Sequence, residues 1–297
     1  MPKSDKEPLE VGYTCMVGVT APMDPEKYPA LKDDYTHFRS VVGGVRHNWG
    51  AISQRGNRFC WAANIQFSSR AEAQRQQFMN SEWGPEANKE MISEFHGRVN
   101  PFGGIMGDFI DATPPELISK VFLEHKMFKT WYHGRSVLIG DACHKMLPAA
   151  GQGAVNAMQD AVVLANCFYD MKDKSAKSLT DAFQSYYSQR YERAKDAYNL
   201  SQMVAKIMSG QSWSDRLLRT ILLKYLPHSV QQKQYVKAAL YRPQIMFLPL
   251  IENRGSVAPV PQKPCQRYIQ ECKEKKENAK QDLSKKQESS GEQAVVV

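Results

Sequence analysis

The sequence predicts an α/β protein with α+β character, and three observations carry that prediction. Short β-branched and aromatic runs, separated by turn residues, follow one another between Val11 and Phe67, the pattern of an antiparallel or mixed sheet. Long amphipathic stretches come later, above all Ser178–Ser209. Between them a short apolar run, Ser136–Ile139, leads through Gly140-Asp141 and a glycine-bearing loop into Ala154–Tyr169. That order is the strand–loop–helix unit of an open α/β sheet.

Composition narrows the function. At 297 residues, with 42% hydrophobic side chains, the chain can bury the core of one large or two small domains. Thirty-nine Lys and Arg against 31 Asp and Glu give a net charge of +8. That excess can attract phosphates or an acidic surface but does not argue for nucleic acid. No apolar run approaches the roughly 18 residues needed to span a bilayer. The first residues, Met-Pro-Lys-Ser-Asp-Lys-Glu-Pro, lack the apolar core of a signal peptide. A cytoplasmic location is expected, with peripheral membrane association left open. Cys15, Cys60, Cys143, Cys167, Cys265 and Cys272 show no paired spacing, so free thiols are expected. His37, His47, His96, His125, His133 and His144 form no H-x-x-x-H pair, and no metal site is predicted.

Taken in order, Val11–Thr20 reads as a strand, and Pro22, Pro25 and Pro29 break the chain into a loop. Phe38–Val42, Val45–Ser53 and Arg58–Phe67 read as a meander, with Gln54-Arg55-Gly56-Asn57 as a hairpin turn. Its aromatics Trp49, Phe59 and Trp61 suit a substrate pocket and a plain core equally well. Ser69–Asn80 and Pro85–Val99 read as helices, and Thr113-Pro114-Pro115-Glu116 as the start of a short helix through Val121. Ser136–Ile139 has the composition of a buried strand. On Ala154–Tyr169 the spacing of Ala154, Met158, Ala161, Ala165 and Phe168 predicts the packed face. Ser178 and Asp181 resemble a capping box for the long helix, whose stripe is Leu179, Phe183, Tyr187, Tyr191, Ala194 and Tyr198. Trp213–Leu226 is a further helix. Prolines from Pro243 onward predict an extended segment, and the Lys/Glu/Gln/Ser-rich Gln266–Val297 predicts disorder.

The chemistry concentrates between Gly140 and Gly153. A carboxylate just beyond a buried strand sits where open α/β sheets bind ligands, and Asp141 there can accept hydrogen bonds from a polyol. Ten residues on, Gly151-x-Gly153 opens a helix whose free N–H groups and partial positive charge suit an anionic group at Gly151–Ala154. Cys143 and His144 are neighbours in sequence, which rarely lets side chains face each other, so no nucleophilic dyad is assigned.

Gly140-Asp141-Ala142-Cys143-His144, followed by Pro148, Gly151-x-Gly153 and Asp160-Ala161, resembles the second flavin-binding fingerprint of the FAD-dependent aromatic hydroxylases, the class A flavoprotein monooxygenases. Trp131–Ile139 is similar to their lead-in strand. Leu164, Ala182-Phe183, Tyr186-Tyr187 and Arg190 are similar to the helices that follow, and Arg242-Pro243-Gln244 with Phe247-Leu248-Pro249 to the tail of fungal members. The resemblance runs from about Val11 to Pro264 and is strongest at residues 134–161. It implies FAD as cofactor and NAD(P)H as reductant. The implied reaction hydroxylates or epoxidises an aromatic or terpenoid-like small molecule through a hydroperoxyflavin. It also implies that Gly140, Asp141, Pro148, Gly151, Gln152, Gly153, Ala154 and Val155 bind the cofactor. Asp141 would hold the ribityl hydroxyls, and the Gly151–Ala154 amides would face the flavin ring and pyrophosphate region. No protein acid or base is required, and no catalytic residue is assigned.

The implied organisation is a substrate-domain-like mixed sheet with helices over 1–125 and a FAD-binding segment over 126–175. A helical region over 176–264 and a disordered charged tail over 265–297 complete it. Two departures stand out. The family often has Asn where Val155 stands, with Asn156 beside it. The strand–GxGxxG–helix unit for the ADP half of FAD is absent, since Gly43-Gly44 and Gly103-Gly104 lack its context. Two hypotheses follow: a monooxygenase in truncated form, or a non-catalytic fragment without autonomous FAD binding, either inactive or a binding partner of a full-length relative. A partner that supplies the nucleotide-binding half is left open.

Overall fold

A computed structural model describes residues 2–43, 45–79, 85–210, 212–225, 227, 236 and 239–292. A single turn, α1 (Lys3–Lys6), precedes strand β1 (Glu10–Val19). The meander follows as β2 (Phe38–Gly43), β3 (His47–Gln54) and β4 (Arg58–Gln66). Helices α2 (Arg70–Met79), α3 (Pro85–His96) and α4 (Gly107–Asp111) lead to β5 (Ile118–Met127). Next come β6 (Tyr132–His133), β7 (Ser136–Val137) and α5 (Asp141–His144). Among the described residues these are followed by the helices α6 (Gly153–Tyr169), α7 (Ala176–Ser209), α8 (Trp213–Thr220) and α9 (Gln266–Glu292).

The chain divides into two compact units. One holds Met1–Met127, His144–Gln152 and Tyr198–Pro227; the other holds Phe128–Cys143, Gly153–Ala197 and His228–Val297. The segment 126–175 therefore contributes to both.

In the first unit five antiparallel strands form one sheet in the order β2-β3-β4-β1-β5. The β3–β4 turn works as its composition predicts: Gly56 and Asn57 take left-handed φ of 77° and 57° and close a short loop between the paired residues Gln54 and Arg58. One sheet face, carrying Met16, Trp49, Phe59 and Trp61, packs with Met91 and Phe95 of α3 and Phe109 of α4. All seven side chains are at most 4% exposed, so the aromatics form the core of this unit. Each buried indole N–H finds an acceptor, Trp61 at Thr113 Oγ1 (2.9 Å) and Trp49 at the Val99 carbonyl (2.8 Å). Gly43 belongs to this packing: a Cβ there would lie 2.3 Å from the Trp49 ring.

The helix expected from Thr113 to Val121 is not formed. Pro115–Leu117 makes a single 3-10 turn, and Ile118 then enters β5. This strand pairs with β1 along most of its length, from Glu10↔His125 to Gly18↔Ile118, with one register shift between Val11 and Tyr13. Lys120, Phe122 and His125 are buried. A completed ladder on an otherwise open edge outweighs the weak local helix signal.

In the second unit, Trp131 is the hub. Its ring lies 5.5–5.7 Å from those of Tyr186, Tyr187 and Tyr191 on α7, and its Nε1 donates to the Phe128 carbonyl. The predicted buried strand Ser136–Ile139 is reduced to a two-residue hairpin, Tyr132↔Val137 and His133↔Ser136. Leu138 and Ile139 are 39% and 40% exposed. Among the described residues no strand pairs with them. The predicted packed face of α6 is also turned outward: Ala154, Met158, Ala161 and Phe168 are exposed, while Asn156, Asp160, Val163, Leu164 and Cys167 are buried. The cap of α7 is Ser175, whose Oγ accepts from the Ser178 N–H, rather than Ser178 itself. Finally, Gln266–Glu292, expected to be disordered, is helical. Arg267 and Glu271 pair on its first turn, and the Tyr169 hydroxyl donates to Glu271.

Candidate functional site

The Gly140–Asp141 corner is fixed from beneath by a buried charge network. The Gly140 N–H donates to Asp160 Oδ2 (2.9 Å), and Arg190 Nε donates to Asp160 Oδ1 (2.7 Å). Arg190 then spends its remaining donors on α6: Nη2 on Asn156 Oδ1 (2.8 Å) and Nη1 on Gln159 Oε1 (3.0 Å). Asp160 and Arg190 are fully buried. Five donors in a rigid fork suit this task in a way that a lysine ammonium does not. The network explains why α6 buries its polar face, since Asn156 and Asp160 are i, i+4 neighbours aimed at one guanidinium. Asn156 is thereby committed to Arg190, leaving Val155, 41% exposed, at the surface of the helix start.

Gly140 has φ +59°, and a Cβ there would stand 3.0 Å from the Ala157 methyl. The corner needs glycine twice over, for the left-handed turn and for the close approach to α6. Asp141 follows as the first residue of α5 and is exposed to solvent. Its carboxylate stands clear of the Asp160–Arg190 network, so it has acceptor capacity to offer a polyol. Cys143 is a packing residue: it is fully buried and its Sγ donates to the Gly140 carbonyl at 3.4 Å. Burial, reinforced by the nearby Asp160, pushes its thiol up to about 12, which disqualifies it as a nucleophile near neutrality.

Further on, Pro148–Ala150 forms a 3-10 turn that Gly151 closes at φ +64°, its N–H bonded to the Pro148 carbonyl. This turn, with Gln152, belongs to the first unit, and Leu147 just before it packs on Tyr13 and Ala205. The helix α6 starts at Gly153 in the second unit, so Gly153, Ala154 and Val155 carry first-turn N–H groups without intrahelical partners. Within that unit the structure supplies both features that a flavin's polar chain requires: an exposed carboxylate at Asp141 and the amide end of a 17-residue helix. The donor set suits the ribityl and flavin portion of FAD. Gly43 lies in strand β2, and Gly103 and Gly104 form a turn between α3 and α4. Gly44 lies outside the described residues.

Cavities among the described residues lie away from this corner. A space of about 390 Å³ in the second unit is lined by Cys167, Asp170, Ser175, Ser178, Lys263 and Cys265. A hollow of about 700 Å³ in the first unit is lined by Tyr13, Gln66, His125, Gln202, Met203 and Lys206. Gln66 Oε1 and Gln202 Nε2 are buried without a hydrogen-bond partner. Gln202 approaches the Tyr198 hydroxyl but meets no acceptor at hydrogen-bonding geometry. His125 Nδ1 lies 3.0 Å from that hydroxyl, and burial lowers the imidazole below its ordinary value against the opposing pull of Glu10. None of these lining residues was singled out from sequence as a site. Arg190 was visible only as part of the family resemblance. Its signal in the residues themselves was an arginine on the buried stripe of one helix, facing Asn156 and Asp160 four residues apart on another.

Solved flavoproteins share the fold of this chain. HpxO of Klebsiella pneumoniae, solved with FAD and uric acid, superposes with a TM-score of 0.60 at 20% identity over 78% of this chain and 54% of that one. A salicylate hydroxylase substrate complex gives 0.52 at 17% identity, covering 80% and 55%. The chain belongs to the FAD binding domain family, whose model matches residues 34–201, more than half of its length. The FAD-dependent monooxygenase atmM of Aspergillus flavus is 29% identical over 266 residues, which is 85% of this chain and 51% of that protein. The FAD-dependent monooxygenase ptmM of Penicillium ochrochloron is 27% identical over 237 residues, 76% and 51%. The chain thus spans about half the length of the curated relatives it matches.

Proposed function

We propose that this chain is the substrate-sheet and flavin-holding part of an NAD(P)H-dependent FAD monooxygenase acting on an aromatic or terpenoid-like small molecule. The observation that carries the reading is the Gly140–Asp141 corner. A solvent-facing carboxylate is held in place by the fully buried Asp160–Arg190 pair, within a chain of the FAD-binding family. The resemblance of Arg242–Pro249 to fungal family members supports the substrate class.

When bound, FAD would supply the redox chemistry of an NAD(P)H- and O2-dependent monooxygenation, in which one oxygen atom goes to the substrate and the other leaves as water. The chain's own residues do the holding. Asp141 accepts hydrogen bonds from ribityl hydroxyls, and Gly140 lets the corner turn. The first-turn amides of Gly153, Ala154 and Val155 favour negative charge at the start of α6. Pro148, Gly151 and Gln152 supply the turn that leads into it. No side chain is assigned a proton transfer. The ADP half of the cofactor falls to a strand–GxGxxG–helix segment, supplied by a longer form of the chain or by a partner.

The test is FAD titration of the purified chain, alone and with such a segment co-expressed, read by flavin fluorescence and thermal stabilisation. A ligand that binds only the folded state raises its stability. Expected are binding in at least the complemented sample and a loss of roughly tenfold or more on Asp141→Ala, at an unchanged melting temperature, as for loss of a charge-assisted hydrogen bond. A folded chain that ignores FAD in both samples overturns the reading in favour of a non-catalytic fragment. Equal affinity of Asp141→Ala and the parent chain removes Asp141 from the site.

A further inference from the structure

Helix α8 and the π-helical turn that extends it, Ile221–Tyr225, present an apolar face that nothing in the described structure covers. Trp213, Leu217 and Ile221 recur every four residues along one side and are 72%, 52% and 45% exposed. Leu218 and Tyr225 widen the stripe at 44% and 67% exposure. The helix is held firmly at its start. Ser212 Oγ accepts from the Asp215 N–H (3.1 Å), and the Asp215 carboxylate reaches back to the Ser212 N–H in a capping box. Side chains this apolar would ordinarily pack inward. Here the inward face is instead the buried Asp215, with Arg219 donating to the Met208 carbonyl.

The charges say what the face meets. Asp215 is the only acid between Ser212 and Tyr225, and its carboxylate is occupied by the cap and by Lys206 Nζ at 3.7 Å. The exposed charges left are Arg216 and Lys224, both cationic. A short helix with leucine and isoleucine on one face, a Trp and a Tyr at its two ends and cations alongside has the composition of an interfacial helix. No helix among the described residues is long and apolar enough to cross a membrane. We infer that Trp213–Tyr225 docks this protein onto an anionic lipid surface. The apolar stripe enters the headgroup–acyl boundary, and Arg216 and Lys224 face the lipid charges.

The experiment is sedimentation of the full chain with vesicles of phosphatidylcholine alone and of phosphatidylcholine with phosphatidylserine. The chain is expected on the anionic vesicles, with binding that weakens as salt is raised. Arg216→Ala with Lys224→Ala is expected to cost roughly thirtyfold, about a factor of five per cation. Leu217→Ser with Ile221→Ser is expected to abolish binding to either vesicle. The fluorescence difference between the chain and Trp213→Phe is expected to shift to the blue on anionic vesicles. All five side chains are exposed, so circular dichroism melting of each variant should match the parent. Absence of binding to anionic vesicles overturns the inference, as does binding that survives Leu217→Ser/Ile221→Ser. A chain that ignores vesicles but shows a concentration-dependent dimer, lost in that same variant, assigns the face to a second copy and also overturns it.

Discussion

Replacing Arg190 with methionine tests whether the Gly140–Asp141 corner stands on a buried charge network. The substitution keeps most of the side chain's length and apolar stem but removes the guanidinium. Asp160, fully buried, then keeps the Gly140 N–H but loses its cation, and Asn156 Oδ1 and Gln159 Oε1 each lose a donor. Breaking a buried pair by removing one partner costs about 3–5 kcal/mol, chiefly through the uncompensated charge. In a chain of this size, at about 2–4 °C per kcal/mol, the melting temperature should fall by roughly 6–20 °C. Arg190→Met with Asp160→Asn removes the stranded charge while keeping a carbonyl acceptor for the Gly140 N–H, and should recover at least half of the loss. Calorimetry of the parent, both single variants and the double variant closes a mutant cycle. If the double variant melts as low as Arg190→Met, the stranded charge is not the cause and the argument fails. A single-variant loss below about 1 kcal/mol fails it too, because that is the scale of an ordinary hydrogen bond.

Other consequences are as direct. Gly140→Ala forces a side chain into a left-handed turn 3.0 Å from the Ala157 methyl, and should cost about 1–3 kcal/mol in thermal or urea unfolding. Cys143 should resist iodoacetamide in the folded chain at pH 8 and react only after denaturation, because burial holds its thiol up at about 12, as mass spectrometry of labelled peptides will show. His125, lowered by burial, binds its proton less readily folded than unfolded. Its contribution to stability is therefore complete above the unfolded value near 6.5 and is lost as pH falls through the lower folded value. His125→Gln should flatten the decline in melting temperature below pH 6.5.

Much of the architecture can be read along the chain because it is written in local patterns. β1 to β4 lie within a few residues of their alternating runs, and the Gly56-Asn57 turn sits where its backbone angles require those residues. The long helix α7 and its row Phe183, Ala194 follow from a 3.6-residue period. What failed did so for a common reason. Thr113–Val121 carries a helix-start signature of prolines and a glutamate, but β1 offered an unpaired edge a hundred residues earlier, and its ladder claimed the segment. Ser136–Ile139 has the composition of a buried strand, yet burial needs a neighbour, and Leu138 and Ile139 stay exposed. On α6 apolar spacing pointed to Met158 and Phe168, while Arg190 drew Asn156 and Asp160 inward instead.

The residues alone thus determined the class of fold, the place of the Gly140–Asp141 corner and the start of the glycine-led helix. Each is set by backbone angles, capping and periodicity within a window of a few residues. Only the tertiary structure decided which edge β5 would complete, which face of α6 would be buried, and that a single arginine would hold the corner. Those outcomes depend on pairing between residues about 30 to 110 positions apart. The energy of a strand ladder or a desolvated ion pair exists only once both partners are present.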